Sequence, residues 1–315
     1  MSRKAHWWSG VAVLVLMAAC NGDGRVQFMS LATAGTGGIY YPLGGAIASR
    51  MSIADPARQY TAEVSGGSVE NVNRLALGQT DLAMVIAVTA YQAQAGVGDN
   101  VEAMEGLRAV APLYPNLTHI LLPADSRARS VADFGGFRVS VGAAGSGTEQ
   151  LARHVLGAYG LTYDDVEPRF LSFAESSAAL RDGAIDAAII SVGYPAAAVL
   201  EATTTGDMKL LGIEDETLAD MLAEHPYYSA GEIPVGAYPG VDTAVPSLAT
   251  MNWVVAMESL DAEVVLLLLN IMQDDRVSLA GRLEVRADPA DHDLLCPNRR
   301  GHAPLGRRKV PTIFS

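Results

Sequence analysis

The sequence has few of the residues from which metal centres and disulfide networks are built. Its 315 residues include two cysteines, Cys20 and Cys296, and six histidines that are scattered along the chain. Two cysteines cannot supply the ligand spacing of a zinc site, and no His-x-x-His pair occurs. We therefore expect neither a metal nor another cofactor.

Positive charge is also scarce. The lysines are Lys4, Lys209 and Lys309, and the formal net charge is −13. A nucleic-acid-binding protein would be expected to present a basic face, so we expect no nucleic acid partner. Because 50% of the residues are hydrophobic, a chain of this length can form two ordinary domains with large cores.

The common motifs of phosphate binding and acyl transfer are missing. No lysine lies near the glycine-rich segments, which excludes a Walker A loop, and neither segment contains Gly-x-Gly-x-x-Gly. The nucleophile pattern Gly-x-Ser-x-Gly fails at Ser68, which Val-Glu follows, and at Ser146, which is flanked by Ala144 and Thr148. We therefore expect a binding protein rather than an enzyme.

The N-terminal segment is typical of a secretory leader. Two basic residues precede an apolar run that begins at Val11, and small residues lead to Cys20. The run is too short for a comfortable membrane span. Because a cysteine after small residues resembles the lipoprotein cleavage box, we predict a signal peptide over 1–19 and a lipidated tether over 20–25. Secretion with a free Cys20, or an uncleaved anchor, is the alternative; Cys296 would have no disulfide partner.

One pattern occurs twice in the chain. Residues 75–83, LALGQTDLA, and residues 180–188, LRDGAIDAA, share Leu-x-x-Gly-x-x-Asp-x-Ala. In each copy we predict that an amphipathic helix ends at the glycine, Gly78 or Gly183, which adopts a positive φ without penalty. A continuously apolar strand follows, as is typical of parallel sheets buried on both faces.

The two aspartates of this repeat, Asp81 and Asp186, hold matching positions at the start of those strands. They could act as paired carboxylates. Their matched places favour structural hydrogen bonds instead. Four further polar residues are predicted to lie on helix surfaces in contact with solvent: Arg74, Arg153, His154 and His225.

Each repeat also carries an upstream strand, a glycine-rich turn and a helix, so the pattern predicts βαβαβ twice and an α/β protein with two lobes. We place lobe 1 at 26–117 plus 252–315 and lobe 2 at 118–251. The apolar strands at 117–123 and 247–257 are predicted to cross between the lobes and form a hinge over a cleft.

The two glycine-rich turns, 34–38 and 145–149, each place the start of a helix at the carboxyl end of the sheet. The first amides of a helix have no intrahelical partner and carry the positive end of its dipole, so an anion fits there. Ser146 and Glu149 also match a capping box, which by itself would be structural. Two such turns on facing lobes predict a small anionic or zwitterionic metabolite held between them.

Several segments together resemble the TAXI-type solute receptors of TRAP transporters: LATAGTGGIYYPLGGAIA, AEVSGGSVENVNRLALGQTDLAMV, VSVGAAGSGTEQLARHVL and EIPVGAYPGVDTAVPS. The resemblance implies a two-lobed, type II periplasmic-binding-protein-like fold with the ligand cleft at the hinge. It also implies an extracytoplasmic receptor that captures glutamate, glutamine or a 2-oxo acid and docks on a sodium-driven permease. With the predicted lipid anchor, the protein would be periplasmic or extracytoplasmic and held at the membrane.

The motifs that carry the resemblance also imply which residues bind the ligand. Tyr40 and Tyr194 would form apolar walls of the binding site. The implied site consists of Thr36, Gly37, Gly38, Tyr40, Ser65, Gly67, Ser68, Ala87, Val88, Gly145, Ser146, Gly147, Thr148, Gly193, Tyr194 and Pro195. Ala87 and Val88 are placed at a strand end. Neither glycine-rich turn contains an arginine, which favours ligand selection by dipoles.

Two departures from the family stand out. Ile39 occupies a position where a hydroxyl residue is common, which removes one hydrogen bond to the ligand. Residues 276–315 differ from the usual helical ending, and we interpret them as a divergent, frameshifted or poorly ordered tail. Two other functions stay open: a ligand-sensing lipoprotein of the same fold that serves a signalling partner, and a hydrolase or transferase.

Overall fold

The backbone forms one mixed sheet that runs through both halves of the molecule. The computed structural model describes residues 26–98, 102–205 and 207–274. The strands are β1 (Gln27–Ala32), β2 (Arg58–Glu63), β3 (Leu82–Ile86), β4 (Leu107–Pro123), β5 (Arg138–Ser140), β6 (Glu167–Arg169), β7 (Ala187–Val192), β8 (Met208–Leu211), β9 (Tyr228–Ile233) and β10 (Val245–Met257). They pair in the order β2-β1-β3-β10-β4-β7-β5-β6, with β8 beside β4 and β9 beside β10.

Helices cover this sheet in both halves. They are α1 (Tyr40–Ala54), α2 (Ser68–Ala76), α3 (Ala87–Ala95), α4 (Gly147–Ala158), α5 (Phe173–Arg181), α6 (Ala197–Thr205), α7 (Asp215–Glu224) and α8 (Ala262–Asp274), with a 3-10 helix at Val131–Phe134. Among the described residues, no helix has both the length and the apolar character needed to cross a membrane. The predicted signal peptide, Cys20 and the tail from 276 lie outside the described residues.

Each half contains the predicted βαβαβ unit. In the first half β1 pairs in parallel with β2 and β3, and in the second half β5 pairs in parallel with β6 and β7. Every residue of β3 and β7 is buried, as expected for strands covered on both faces. The α/β class, the two lobes and the internal repeat are therefore confirmed.

The repeated glycines and aspartates have the structural roles that their spacing predicts. Gly78 and Gly183 adopt φ values of 64° and 66°, in the left-handed region that favours glycine. The Asp81 carboxylate accepts a hydrogen bond of 2.7 Å from the Ser30 amide. The Asp186 carboxylate accepts one of 2.8 Å from the amide of Arg138. Each aspartate thus anchors its strand to the central strand of its unit.

Asp186 differs from its counterpart in a bidentate ion pair with the Arg138 guanidinium, 2.7 and 3.0 Å long. That hydrogen bonding holds the pKa of Asp186 below the ordinary 3.8. A carboxyl whose pKa is lower in the folded than in the unfolded state stabilises the protein when the pH is above the unfolded-state pKa. This stabilisation is lost as the pH falls through the folded-state pKa. We expect Asp186→Asn to unfold at lower temperature than the wild type near neutral pH, with the difference shrinking below pH 3.8. Thermal unfolding of both proteins across this pH range tests the prediction. The same pH dependence of the unfolding temperature in both proteins would contradict it. Asp125→Asn, at an exposed aspartate, is the control.

Two long strands cross between the halves. β10 pairs antiparallel with β4 along most of its length, from Ala249 opposite Leu117 to Met257 opposite Leu107. In addition, β10 pairs with β3 of the first half and with β9, and β4 pairs with β7 of the second half and with β8. β10 is thus hydrogen-bonded to strands of both halves, and β4 joins β10 to the second half, so the two strands form the connection about which a hinge motion would occur.

One strand ends earlier than predicted. Ala87 and Val88 do not end a strand, because the chain turns into α3 directly after Ile86, and both side chains are buried in the first turn of that helix. In the second half β6 ends at Arg169, and Ser172 already caps α5. Its hydroxyl accepts from the Glu175 amide and the Glu175 carboxylate accepts from the Ser172 amide.

The prediction that two histidines are solvated is wrong. His154 and His225 stack on each other with their ring centroids 4.5 Å apart. The His154 Nδ1 atom lies 2.8 Å from the hydroxyl of Tyr228, and the ring of Tyr227 also stacks on His225. His154 of α4 and His225, which follows α7, are therefore half-buried against each other and against Tyr227 and Tyr228.

Candidate functional site

A cavity of about 110 Å³ lies where the two glycine-rich turns face each other. Residues of both halves and of crossing strand β4 line it: Ala34, Gly35, Gly37, Gly38, Ile39, Tyr40, Ser65, Gly66, Gly67, Ser68, Ile86, Tyr114, Asn116, Ala143, Ser146, Gly147, Thr148, Ser172, Phe173, Ser191 and Val192. The shared cleft that the turns predict is therefore present.

The predicted ligand-binding residues divide into two groups by their position. Those that line the cavity are Gly37, Gly38, Tyr40, Ser65, Gly67, Ser68, Ser146, Gly147 and Thr148. Thr36 is exposed, whereas Ala87 and Val88 are buried in α3. Gly193 lies behind the cavity wall, because an added Cβ would meet Ile39 at 2.7 Å and Tyr114 at 2.8 Å. Tyr194 packs against a core cluster to which both halves contribute, and a cis peptide joins it to Pro195.

The start of α2 contacts the opposite half of the molecule. The amides of Val69 and Glu70 both donate to the carbonyl of Gly145, at 3.1 and 3.0 Å. The amide of Gly66 donates to the Glu70 carboxylate at 2.7 Å. Contrary to the expectation for Gly145, its carbonyl joins the two halves directly, and these α2 amides are already satisfied.

The start of α4 is arranged differently. Ser146 is the N-cap, and its hydroxyl accepts from the Glu149 amide at 3.2 Å. Glu149 does not complete the predicted capping box, since its carboxylate bonds Arg153 at 2.8 Å and the Tyr163 hydroxyl at 2.7 Å. The amides of Gly147 and Thr148 belong to the first helical turn, where no intrahelical acceptor exists. This helix start therefore offers donors to the cavity.

A chain of hydrogen bonds crosses the base of the cleft, and we name Tyr40, Asn252, Asn116 and Ser191 the hinge network. The Tyr40 hydroxyl donates to Asn252 Oδ1, and Asn252 Nδ2 donates to Asn116 Oδ1 and to the Tyr114 carbonyl, each at 2.7 Å. Asn116 Nδ2 donates to the Ser191 carbonyl at 3.1 Å. The network links α1, both crossing strands and β7.

The cavity lining contains no charged side chain among the described residues. Arg74 and Arg153 do not line the cavity; they lie on helix surfaces, as predicted, where Arg74 pairs with Glu70 at 2.7 Å and Arg153 pairs with Glu149 at 2.8 Å. Burial raises the pKa of Tyr40 and, together with the neighbouring Tyr40, that of Tyr114. Both phenols are thus neutral at pH 7 and the cavity presents dipoles rather than ions.

Sequence reasoning missed part of the lining. Tyr114 and Asn116 lie on crossing strand β4, and Ser172 and Phe173 lie at the start of α5. The internal repeat could have indicated Ser172 and Phe173, because they occupy the position in the second unit that Gly67 and Ser68 occupy in the first. No local signal marks Tyr114 or Asn116, since only the pairing of β4 brings them to the cleft.

A model of the NMT1-like family matches residues 31–283. The chain belongs to this family. Over 156 residues the NMT1-like chain is 31% identical to a protein of Escherichia coli K12 whose name describes an aliphatic sulfonates-binding protein. The match covers 49% of this chain and 46% of that protein, so the chain spans about half the length of the curated relative that it matches.

Solved structures resemble the NMT1-like chain in fold. A protein of Bordetella bronchiseptica RB50 has a TM-score of 0.54 at 17% identity and covers 86% of this chain and 81% of its own. The substrate-binding protein of an amino acid ABC transporter has a TM-score of 0.50 at 12% identity and covers 82% and 99%. The fold is that of the type II periplasmic solute-binding proteins, as predicted.

Proposed function

We propose that this protein is the extracytoplasmic solute receptor of a membrane transporter and that it captures a small organic anion between its two halves. The observation that carries the proposal is the shared cavity, which both halves line with hydroxyls, helix-start amides and aromatic rings. Concave sites with apolar walls and a few convergent polar groups are typical of small-molecule binding.

The lining supports an anion without an ammonium group. Hydroxyls and helix-start amides are hydrogen-bond donors that suit a carboxylate or a sulfonate. An α-ammonium group would need a carboxylate, and no acidic side chain lines the described cavity. We therefore rank 2-oxo acids and short alkanesulfonates above glutamate and glutamine. The resemblance to TAXI receptors supports the first class and the sulfonates-binding relative supports the second.

Binding would proceed by closure of the cleft. Ligand contacts made to both halves favour the closed state, because a ligand shifts an equilibrium by its differential affinity for the two states. A hydrogen bond to a charged group contributes about 1.5–3 kcal/mol. A few such bonds, less the entropy of association, are compatible with micromolar affinity, which corresponds to about −8 kcal/mol.

Calorimetry tests the ligand class. Ethanesulfonate, 2-oxoglutarate and glutamate are titrated into the purified protein under the same conditions. We expect measurable binding of ethanesulfonate or 2-oxoglutarate and weaker binding of glutamate. Preferential binding of glutamate would contradict the argument from the missing acidic side chain, and no binding of any of the three would contradict the proposed function.

The transporter partner is proposed from the sequence motifs to be a sodium-driven TRAP permease, with the receptor held at the membrane by lipidated Cys20. Uptake into membrane vesicles that contain the partner distinguishes this class from an ABC transporter. A TRAP system needs a sodium gradient, whereas uptake that needs ATP instead would contradict the proposal. Labelling with radioactive palmitate tests Cys20, and a Cys20→Ser variant is the control.

A catalytic alternative has less support. A serine nucleophile needs a base within hydrogen-bond reach, and no histidine, lysine or carboxylate lines the cavity in the part of the chain that the structure describes. The fully buried His119 bonds the Leu117 carbonyl and the Tyr238 hydroxyl instead. A ligand-sensing lipoprotein would use the same cavity, so only the partner distinguishes sensing from transport.

Replacing both Ser146 and Thr148 with alanine should weaken binding of the preferred probe tenfold or more, because two donors at the start of α4 are lost. Ser146→Ala also removes an N-cap, which costs about 1 kcal/mol of stability. Thr148→Val separates the two effects, since the Thr148 hydroxyl bonds no other described residue and its removal leaves the cap intact. Calorimetry measures the affinity, and a double variant at two exposed positions, Thr61→Ala and Ser229→Ala, is the control. Unchanged affinity of the variant that lacks the Ser146 and Thr148 hydroxyls would contradict their assignment to the binding site.

A further inference from the structure

Two buried hydroxyls have no hydrogen-bond partner among the residues that the structure describes. They belong to Ser191, which is 3% exposed, and to Thr250, which is 1% exposed. Ser191 lines the cavity, and Thr250 does not. Both residues therefore have a buried hydroxyl without a partner, but one lies in the candidate site and the other lies outside it.

The Ser191 hydroxyl stands out because its surroundings are otherwise satisfied. Its own carbonyl accepts from Asn116 Nδ2 at 3.1 Å, and its strand pairs with β4 at Thr118. In the hinge network the Tyr40 hydroxyl is committed to Asn252, and the Asn252 amide is committed to Asn116 and Tyr114. The Ser191 hydroxyl, at the base of the cleft, differs from these groups because it has no hydrogen-bond partner among the described residues.

A buried hydroxyl without a partner destabilises the folded protein, so native structures rarely keep one without a reason. An alanine at 191 would fill nearly the same space without that cost. The position in the cavity wall supplies a reason, because a ligand in the cavity can reach the hydroxyl.

We propose that Ser191 is a ligand-binding residue whose hydroxyl donates a hydrogen bond to an oxygen of the bound organic anion. This inference rests on the proposed function and extends it to a residue that neither glycine-rich turn contains. The backbone of Ser191 is held by the sheet and by Asn116, so the hydroxyl is presented from a rigid position. A preorganised donor loses little entropy on binding and gains in specificity.

The test compares Ser191→Ala with Thr250→Val by calorimetry, with ethanesulfonate and 2-oxoglutarate as probes. For the probe that the wild type binds, we expect Ser191→Ala to raise Kd by about 10- to 100-fold, because a hydrogen bond to a charged group is lost. Thr250→Val removes a similar unpaired hydroxyl outside the cavity and should leave Kd unchanged. Ser191→Thr keeps a hydroxyl at the position and should retain most of the affinity.

Thermal unfolding of the ligand-free proteins separates binding from folding. Removal of an unpaired buried hydroxyl should leave the midpoint unchanged or raise it, in Ser191→Ala and in Thr250→Val alike. Equal Kd values for the wild type and Ser191→Ala would overturn the inference while leaving the proposed function intact. A wild type that binds neither probe would overturn the proposed ligand class and, with it, the role of Ser191.

Discussion

Replacing Gly66 with alanine is expected to prevent full closure of the cleft and to weaken ligand binding about 10- to 100-fold. A Cβ at Gly66 would lie 2.6 Å from the carbonyl oxygen of Ala144, which belongs to the opposite half. Overpacking of this kind costs about 1–3 kcal/mol, which corresponds to that range of affinity. Gly66 is not in the left-handed region, and the other close contact of the added Cβ, Glu70 Oε2 at 2.9 Å, is the end of a flexible side chain, so the protein should still fold.

Small-angle scattering and calorimetry with the preferred probe measure this effect. The wild type should become more compact when the probe is added, and Gly66→Ala should change less. Gly45→Ala is the matched control, because a Cβ at this position in α1 meets no atom within 4 Å. Equal compaction of Gly66→Ala and the wild type would mean that the contact with Ala144 does not limit closure.

Replacing Asn71 with alanine is expected to destabilise the protein by about 3 kcal/mol or more, since several buried polar groups lose their partner at once. Asn71 is fully buried, and its Nδ2 atom donates to the carbonyls of Thr33 and Met84, each at 2.7 Å. Its Oδ1 atom accepts from the Ser65 hydroxyl at 2.6 Å. One side chain therefore ties α2 to the residue that follows β1 and to the middle of β3, and it orients a residue of the cavity wall.

Denaturant unfolding measures this loss. Asn73→Ala provides the comparison, because Asn73 lies two positions further along the same helix and is exposed. Surface substitutions of this kind usually change stability by less than about 0.5 kcal/mol. Similar unfolding free energies for the two variants would show that the hydrogen bonds of Asn71 contribute little to the fold.

The repeated elements of the fold could be predicted because their signals are local. A glycine after an amphipathic helix, followed three residues later by an aspartate and then an apolar run, predicts a helix end, a turn and a buried strand. Gly78 and Gly183 have the left-handed conformation, and Asp81 and Asp186 have the strand-anchoring bonds that the pattern implies. Each of these features depends on residues that lie close together in the chain or that recur in the second copy.

The candidate site was less predictable, because each part of it depends on what the opposite half supplies. The glycine before α2 predicts a ligand at that helix start, yet the carbonyl of Gly145 accepts the amides of Val69 and Glu70. Both helix starts line the cavity, but among the described residues no carbonyl of the opposite half accepts the first amides of α4. A helix start binds whichever acceptor the tertiary structure brings to it.

The α/β class, the duplication and the two glycine-rich turns follow from the order of the residues, because spacing, apolar runs and glycine conformations are local properties. The assembly of the two halves sets a different role for each helix start: the first amides of α2 bind the carbonyl of Gly145 in the opposite half, whereas the start of α4 offers its amides to the cavity. The tertiary structure also brought Tyr114, Asn116 and Ser191 to the cleft, because their positions follow from the pairing of β4 with β7 and β10. Hydrogen bonds between residues more than 70 positions apart leave no pattern in a single sequence.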